Sequence, residues 1–197
     1  GRFLFAAAMM WGVVLLTRQP VRLGQARRPL LMGMLDPGLV SLFLVWGLHH
    51  TSAVNVGMFW ALMPVVMPLA ARLILAEAVN LVVVIGAAVA FCGAMILMLT
   101  NQASGDGDLF GDMLAITGVM CGVASALLAR RVAQQQGNAL VTTAWQMTMA
   151  LAIGFLALVL LEQSTTALET VDSGLLVLMV YLGMIATAGP FFLLNYA

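Results

Sequence analysis

Asp36 is the residue with the clearest chemical potential, because its carboxyl group stands inside an otherwise apolar stretch. An ionisable side chain within a membrane-spanning segment costs a few kcal/mol and typically binds a substrate or moves a proton. The pair Asp36-Pro37 is also a good helix start, since Asp is a favoured N-cap and Pro is favoured at the first helical position. Both roles stay open, and they can coexist.

Two aromatic side chains and a histidine follow Asp36 at helical spacing. Asp36, Phe43 and His50 are seven residues apart, so they share one face of a straight helix, and Trp46 lies close beside that face. This face predicts the wall of a cavity that binds a small molecule. The same spacing is also typical of packing, and His50 stands at a polar turn where water can hydrate it.

Later apolar segments contain further polar or aromatic residues. We include them as candidates for the lining of a small-molecule pocket, although interfacial anchoring explains tryptophan nearly as well. These candidates are Asn55, Phe59, Trp145, Gln146 and Asn195.

Prolines inside apolar segments each leave a backbone carbonyl without its usual donor. Pro64 and Pro68 are one helical turn apart, and Gly189-Pro190 interrupts the last apolar segment. Within a membrane such a carbonyl needs a hydroxyl group, a water molecule or a substrate as its partner. These positions predict hinges in moving helices, with static bends as the alternative.

Several other kinds of chemistry lack the residues that they need. The apolar segments contain no nucleophile paired with a base, and the chain has no phosphate-binding loop. Cys92 and Cys121 stand alone among apolar residues, so neither a disulfide framework nor a metal site is expected. The formal net charge is zero and the eight basic residues, all Arg, form no stripe for phosphates. We therefore expect no enzyme activity, cofactor, metal or nucleic-acid partner.

The chain that positions these residues is too apolar for a soluble domain. Of its 197 residues, 63% are hydrophobic and 8% charged, whereas soluble domains carry about a quarter charged residues. Continuous apolar stretches of about 20 residues recur, long enough for helices that cross a hydrocarbon core of about 30 Å. The prediction is an all-α, polytopic transmembrane helix bundle in a bacterial inner (plasma) membrane.

Polar turns divide the chain into seven predicted helices. The charge-free run from Pro37 to Ala71 is too long for one crossing, so we place a turn at residues 49–52. The arginines other than Arg2 then fall at loops on one side, which predicts that this side is cytoplasmic. The predicted helices are Phe3–Thr17, Leu30–His50, Ala53–Leu75, Asn80–Thr100, Leu109–Ala129, Ala139–Leu161 and a seventh from Gly174 onward.

Several stretches resemble the EamA-type transporters of the drug/metabolite transporter superfamily. The segment Ala70–Glu77, AARLILAE, is similar to that family's LGE-like helix ending, with Ala76 where Gly is commoner. Thr51-Ser52-Ala53, followed by Asn55 and Pro64, resembles its TSA…P hairpin. Gly111–Ala115, GDMLA, leading to Arg130-Arg131, resembles its sixth helix. In order and spacing the resemblance covers essentially the whole chain.

The resemblance implies a fold of ten helices in two inverted five-helix repeats, of which this chain would hold helices two to eight. Residues 1–100 would then be the first repeat without its first helix, and residues 109–197 the second repeat, truncated after its third helix. Gly33-Met34 through Phe43 and Trp46 also align with Gly183-Met184 through Leu193 and Tyr196 at a constant offset. Inverted repeats place a binding site near the membrane midplane.

The function that the resemblance implies is secondary transport of small metabolites or drug-like molecules by alternating access, with export as the expected direction. The expected partners are a small-molecule substrate and the lipid bilayer. Proton coupling and a homodimer are both compatible with the sequence. The alternatives are a non-transporting membrane scaffold or assembly subunit, and an intramembrane enzyme.

Overall fold

The computed structural model describes residues 2–21, 24, 26–76, 80–100, 108–134, 138–160 and 173–196, and the regular elements among them are all helical. The predicted all-α class is therefore confirmed. Five helical segments of this part are long and apolar enough to cross a membrane. They are Arg27–His50, Ala53–Leu75, Leu109–Gln134, Ala139–Val159 and Val177–Tyr196, and the shorter apolar helices Arg2–Leu16 and Leu81–Gly93 accompany them.

Three of the spanning segments are interrupted, so the chain has more helices than crossings. Met34–Leu39 separates α2 from α3, Leu62 separates α4 from α5, and a wide helical turn at Met184–Ala188 separates α9 from α10. The helices are α1 Arg2–Leu16, α2 Arg27–Gly33, α3 Val40–His50, α4 Ala53–Ala61, α5 Met63–Leu75, α6 Leu81–Thr100, α7 Leu109–Gln134, α8 Ala139–Leu160, α9 Ser173–Gly183 and α10 Gly189–Tyr196.

The turn predicted at residues 49–52 is present and has a local cause. Thr51 leaves the helix with φ −138° and ψ 168°, and the hydroxyl of Ser52 then accepts a hydrogen bond from the backbone N–H of Asn55 at 3.1 Å. Ser is a preferred N-cap because its oxygen satisfies one of the open N–H groups of the first turn. The α3–α4 connection is thus encoded by adjacent residues.

The prediction that Asp36, Phe43 and His50 share one face of a straight helix is wrong. The backbone of Asp36 is extended, with φ −140° and ψ 121°, so helical periodicity does not continue through it. The residue before a proline is pushed out of the α conformation by the pyrrolidine ring, and Pro37 supplies that ring. An extended backbone is the conformation of an N-cap residue, but the regular helix α3 begins only at Val40, so the helix start at Asp36-Pro37 stays a prediction.

The chain divides into two compact units. The first unit contains residues 1–38 and 128–197, and its core brings together small and apolar side chains of α1 and α8 with Ala188. The second unit contains residues 39–127, and its core consists of apolar side chains from α4, α5 and α7. Each unit draws on both halves of the sequence, and the division into repeats at residues 1–100 and 109–197 stays a prediction.

Two sequence predictions concern residues that lie outside the described ranges. They are Glu77, the last residue of the LGE-like motif, and Leu161, the predicted end of the sixth helix.

Candidate functional site

The first unit is built around α1 and α8, which run antiparallel. Phe3 faces Gly154 near one end of the pair. In the middle, the indole Nε1 of Trp11 donates a hydrogen bond to Thr148 Oγ1 at 2.8 Å. Beyond the other end, Asn138 Nδ2 donates to Gln19 Oε1 at 2.7 Å. Residue numbers rise along one helix as they fall along the other, which defines the antiparallel direction.

Glycines allow two other helices to approach this pair closely. A Cβ atom added at Gly33 of α2 would lie 2.8 Å from both the Cα and the carbonyl carbon of Gln146 on α8. A Cβ atom added at Gly183, the last residue of α9, would lie 2.5 Å from the carbonyl oxygen of Arg2 and 3.0 Å from Phe5 Cβ on α1. Small residues at such crossings bring helix backbones into direct contact.

The two glycines occupy matching places in the sequence and in the unit. Gly33 belongs to the first half of the chain and contacts a helix of the second half, whereas Gly183 belongs to the second half and contacts a helix of the first. Each precedes an interruption of the regular helix, at Met34–Leu39 and at Met184–Ala188. The alignment of Gly33-Met34 with Gly183-Met184 therefore connects two positions with the same structural role.

A buried hydrogen-bond network starts at the helix interruption after Gly33. The side-chain amide of Gln146 donates to the backbone carbonyl oxygen of Asp36 at 2.9 Å. The amide of Asn195 on α10 donates to Gln146 Oε1 and to Thr143 Oγ1, both at 2.9 Å. Gln146 is 0% exposed and Asn195 is 6% exposed, so the network lies in the interior of the unit. It joins the interruption at Asp36 to the helices α8 and α10, at positions far apart in the sequence.

The orientation of both amides follows from their partners. A backbone carbonyl can only accept, so Gln146 turns its NH₂ group toward Asp36 and its oxygen toward Asn195. The hydroxyl of Thr143 donates to the carbonyl of Ala139 at 2.8 Å and therefore accepts from Asn195. Both hydrogens of the Asn195 amide are thus used. The amide orientation is fixed by the network rather than chosen freely.

Two buried polar atoms next to this network have no hydrogen-bond partner among the described residues, namely Asn195 Oδ1 and Trp145 Nε1. The network fixes the orientation of the Asn195 amide, so the unpaired Oδ1 atom of Asn195 is a hydrogen-bond acceptor. The unpaired indole N–H of Trp145 is a donor. Trp145 also packs edge-on against Trp11, with ring centroids 5.2 Å apart at 85°. Buried unpaired groups are rare in native proteins and commonly mark a site that binds water or a ligand.

A cavity of about 330 Å³ lies beside Asn195 in the first unit. Asn138 and Asn195 supply polar atoms to its wall, while Phe192 and Tyr196 supply aromatic rings. Pockets for small molecules have volumes of about 300–1,000 Å³ and combine apolar walls with a few polar groups. The cavity therefore has the size and the lining of a small-molecule site.

The carboxyl group of Asp36 has a charged neighbour that sequence reasoning missed. Asp36 is half-buried and interacts electrostatically with the guanidinium group of Arg2. The signal was present in the sequence, because Arg2 is the one arginine that does not follow the segregation of positive charges to one side. An opposite charge near an intramembrane carboxylate is a reason to tolerate a basic residue there.

Asn55 has a structural role in the second unit. The hydroxyl of Thr51 donates to Asp112 Oδ1 at 2.6 Å, and the amide of Asn55 donates to Thr51 Oγ1 at 3.0 Å. These bonds connect the start of α4 to the first turn of α7. Asp112 belongs to the family-like GDMLA segment, which explains what that carboxylate does in the fold.

The remaining candidates from the sequence lie in the second unit, and their role in a pocket stays a prediction. Phe43 packs beside Gly118, and Phe59 packs against the core formed with α5 and α7. Trp46 and His50 are exposed, and the His50 ring packs edge-on against Phe110 at 5.4 Å. Of the nine pocket candidates, the first unit brings together Asp36, Trp145, Gln146 and Asn195.

Three of the four predicted hinge residues, Pro64, Gly189 and Pro190, stand beside helix interruptions. Pro64 lies in the first turn of α5, where a missing N–H costs nothing, and Pro68 lies inside that helix. Gly189-Pro190 opens α10 directly after the wide turn. In that turn the hydroxyl of Thr187 donates to the carbonyl of Leu182 at 2.6 Å, which is the kind of hydroxyl partner that a displaced carbonyl needs.

Comparison with known proteins adds the family. The EamA-like transporter family matches residues 1–99. The uncharacterized transporter YyaM of Bacillus subtilis (strain 168) is 27% identical over 181 residues, which are 88% of this chain and 58% of YyaM. The chain thus spans less than two thirds of the length of this bacterial relative, whose origin agrees with the predicted plasma membrane. No solved structure matches the chain. With half of its residues matched and five helices able to cross a membrane, the chain belongs to the EamA-like transporter family and is a multi-pass integral membrane protein.

Proposed function

We propose that the full-length protein containing this chain is a secondary transporter that moves small metabolites or drug-like molecules across the plasma membrane by alternating access. The network of Asp36, Gln146 and Asn195 with its neighbouring cavity would form part of the substrate site. The expected direction is export. The membership in a transporter family supports this function, and the details rest on the geometry of the first unit.

The observation that carries the proposal is the interrupted helix at Asp36. Irregular backbone is tolerated at membrane depth only where it is buried in protein or lines a cavity. Here the backbone carbonyl of Asp36, at the interruption, accepts a hydrogen bond from the buried side-chain amide of Gln146 at 2.9 Å. Secondary transporters commonly build their sites from such discontinuous helices near the membrane midplane. A scaffold protein has no comparable need for a broken helix beside a polar network.

The matching roles of Gly33 and Gly183 support two inverted halves. Each glycine packs its own helix against a central helix of the other half, and the two central helices, α1 and α8, are antiparallel. Two halves related in this way can rock about a shared centre, which is the motion that alternating access requires. The interruptions after both glycines are suitable positions for the bending.

The open acceptor at Asn195 sets a requirement on the substrate. When the site opens, a ligand that reaches Asn195 Oδ1 must bring an N–H or O–H donor, because the network already uses both amide hydrogens. A carboxylate or phosphate group offers only acceptor oxygens, which would repel the oxygen of Asn195 instead of forming a hydrogen bond with it. The favoured substrates are therefore apolar or aromatic molecules with at least one donor group, such as amines, amides or alcohols.

Asp36 is the proposed coupling group. Its carboxyl group interacts with Arg2 in a half-buried setting, so protonation would remove the negative charge that faces the guanidinium group. A charge change of this kind can bias one arrangement of the two halves over the other. Proton coupling follows if the carboxyl group exchanges protons during transport. If Asp36 acts only as a helix start, the expected mode of transport is facilitated diffusion without proton coupling.

Flux measurements on the full-length protein in proteoliposomes test the proposal. The panel contains amino acids, sugars, nucleosides and cationic dyes, each with and without a pH gradient. We expect flux of at least one donor-bearing member, and we expect Asp36→Asn to lose the response to the gradient. The matched control is Asp112→Asn, since that carboxylate serves a structural bond to Thr51 and should keep the response.

Either result is informative about the role of Asp36. If flux through Asp36→Asn still responds to the pH gradient, Asp36 has no part in coupling and serves only the helix start. Absence of flux for every panel member, in protein that is folded and correctly inserted, would favour the scaffold or assembly subunit over the transporter.

A further inference from the structure

A groove with a single cation at one end runs between α5 and α6 in the second unit. Its volume is about 410 Å³, and its lining includes Pro68, Leu69 and Arg72 from α5 and Val84, Ala88 and Phe91 from α6. Apart from Arg72 the lining residues are apolar. The groove includes Pro68, a predicted hinge residue, and Arg72 of the family-like Ala70–Glu77 segment, but it belongs to the second unit, whereas the proposed transport site belongs to the first.

Two of the four α6 residues that line the groove, Ala87 and Ala88, are alanines, and their short side chains leave space between the helices. Ala88 presents a single methyl group toward α5, and Pro68 has a short ring in place of a long side chain. Leu69 and Phe91 stand at the sides and remain exposed, at 57% and 39%. An exposed apolar channel of this kind suits a flexible hydrocarbon chain, which fills irregular space without directional contacts.

Arg72 lies near the end of the apolar span Ala53–Leu75, where a membrane-crossing helix is expected to meet lipid headgroups. It lies in the last turn of α5, and the apolar span Ala53–Leu75 ends three residues later, about 4.5 Å further along the axis. Ala76 follows in the left-handed conformation, with φ 54°, and terminates the helix. The side chain is exposed, and in the part of the chain that the structure describes no carboxylate pairs with it.

We propose that this groove binds an anionic phospholipid, with one acyl chain between α5 and α6 and the phosphate group at Arg72. Basic side chains at the cytoplasmic end of a membrane span attract anionic headgroups, and the arginine pattern predicts that Arg72 lies on the cytoplasmic side. The groove extends from Val65 to Arg72, about 10 Å along α5, which is about a third of the hydrocarbon core. Charge and apolar lining thus match the two ends of a phospholipid.

A lipid fits this groove better than a packed helix does. A helix with its side chains is about 10–12 Å wide and would cover Arg72. The guanidinium group would then be buried in apolar surroundings at a cost of a few kcal/mol, unless the helix brought a carboxylate to the same position. A phospholipid supplies the compensating charge and leaves Arg72 at the interface.

Native mass spectrometry of the full-length protein tests the lipid site. The protein in detergent is exposed to equal amounts of phosphatidylglycerol and phosphatidylcholine with identical acyl chains. Phosphatidylcholine carries the same phosphate but balances it with a choline cation, whereas phosphatidylglycerol keeps a net negative charge. The attraction of one arginine for that net charge predicts retention of phosphatidylglycerol about fivefold over phosphatidylcholine. Arg72→Gln should bring this ratio to about one, and Arg72→Lys should largely keep it because the charge remains.

A pair of bulky substitutions tests the acyl-chain part of the site. Ala88→Trp fills the groove and should reduce retention of both lipids, whereas Val89→Trp changes an exposed residue of the same helix outside the groove lining and should not. Glycerol phosphate, which has no acyl chain, should not displace the bound lipid. Gel filtration verifies that each variant remains folded and monodisperse.

Several outcomes would overturn the proposal. If the ratio of the two retained lipids is the same in Arg72→Gln as in the wild type, Arg72 does not bind the headgroup. If Ala88→Trp and Val89→Trp retain lipid equally, the acyl chain does not lie in the groove. If glycerol phosphate displaces the lipid, the site binds an anion and makes no use of the acyl chain. Wild-type protein that retains neither lipid would mean that another segment or a second copy covers the groove.

Discussion

Substitution of Gly33 by alanine tests whether the close contact between α2 and α8 holds the network of the first unit together. The added Cβ atom would collide with the carbonyl oxygen of Gln146 and would lie 2.8 Å from its Cα and carbonyl carbon. These are backbone atoms, so no side-chain rotation can relieve the collision. To reach an ordinary carbon–carbon separation, α2 must move away from α8 by about 1 Å.

The magnitude follows from the displaced contacts. Overpacking of this kind typically costs about 1–3 kcal/mol. The shift also stretches the Gln146–Asp36 hydrogen bond beyond its 2.9 Å, and its loss adds about 0.5–1.5 kcal/mol. Alanine in place of glycine favours the helix by up to about 1 kcal/mol. With the full helix gain subtracted, the net destabilisation is therefore about 0.5–3.5 kcal/mol.

Thermal unfolding of the full-length protein in detergent, followed by tryptophan fluorescence, measures this effect. Trp11 and Trp145 form a ring pair inside the same unit and report on its packing. The matched control is Gly12→Ala in α1, where an added Cβ atom would meet nothing within 4 Å. We expect a lower melting temperature for Gly33→Ala and an equal or higher one for Gly12→Ala. Equal stability of the two variants would refute the close-contact explanation.

Three further predictions concern individual hydrogen bonds, each measured by the same unfolding experiment. Gln146→Leu removes the donor from a buried backbone carbonyl and should cost about 1–3 kcal/mol; a neutral result would mean that water replaces the amide. Thr51→Val keeps the side-chain shape but removes the donor to the Asp112 carboxylate, so we expect a loss of about 1.5–3 kcal/mol; an unchanged melting temperature would show that this bond contributes nothing. Ser52→Ala removes the N-cap bond from the Asn55 N–H and should cost about 1 kcal/mol, whereas Ser52→Asp should restore it.

The helical class, the membrane-crossing segments and several helix ends were predictable from the sequence. Long apolar segments must be helical in lipid, because every backbone polar group needs a partner within the segment. The turn at Thr51-Ser52 follows from a polar cluster and an N-cap residue, and the interruption at Asp36 follows from the proline after it. The seven-residue spacing failed across Asp36 because it presupposed an unbroken helix.

The grouping of residues into the candidate site, in contrast, was not predictable from the sequence. The sequence singled out Asp36, Gln146 and Asn195 separately, because polar residues in apolar segments stand out by type alone. Only the tertiary structure brings them together, across separations of 110 and 49 residues. Which faces of two helices meet depends on where their backbones can approach, as at Gly33 against α8, and on partners from distant segments. A local pattern contains neither fact, so the sequence determined which residues were unusual, and the helix packing decided which of them form a site.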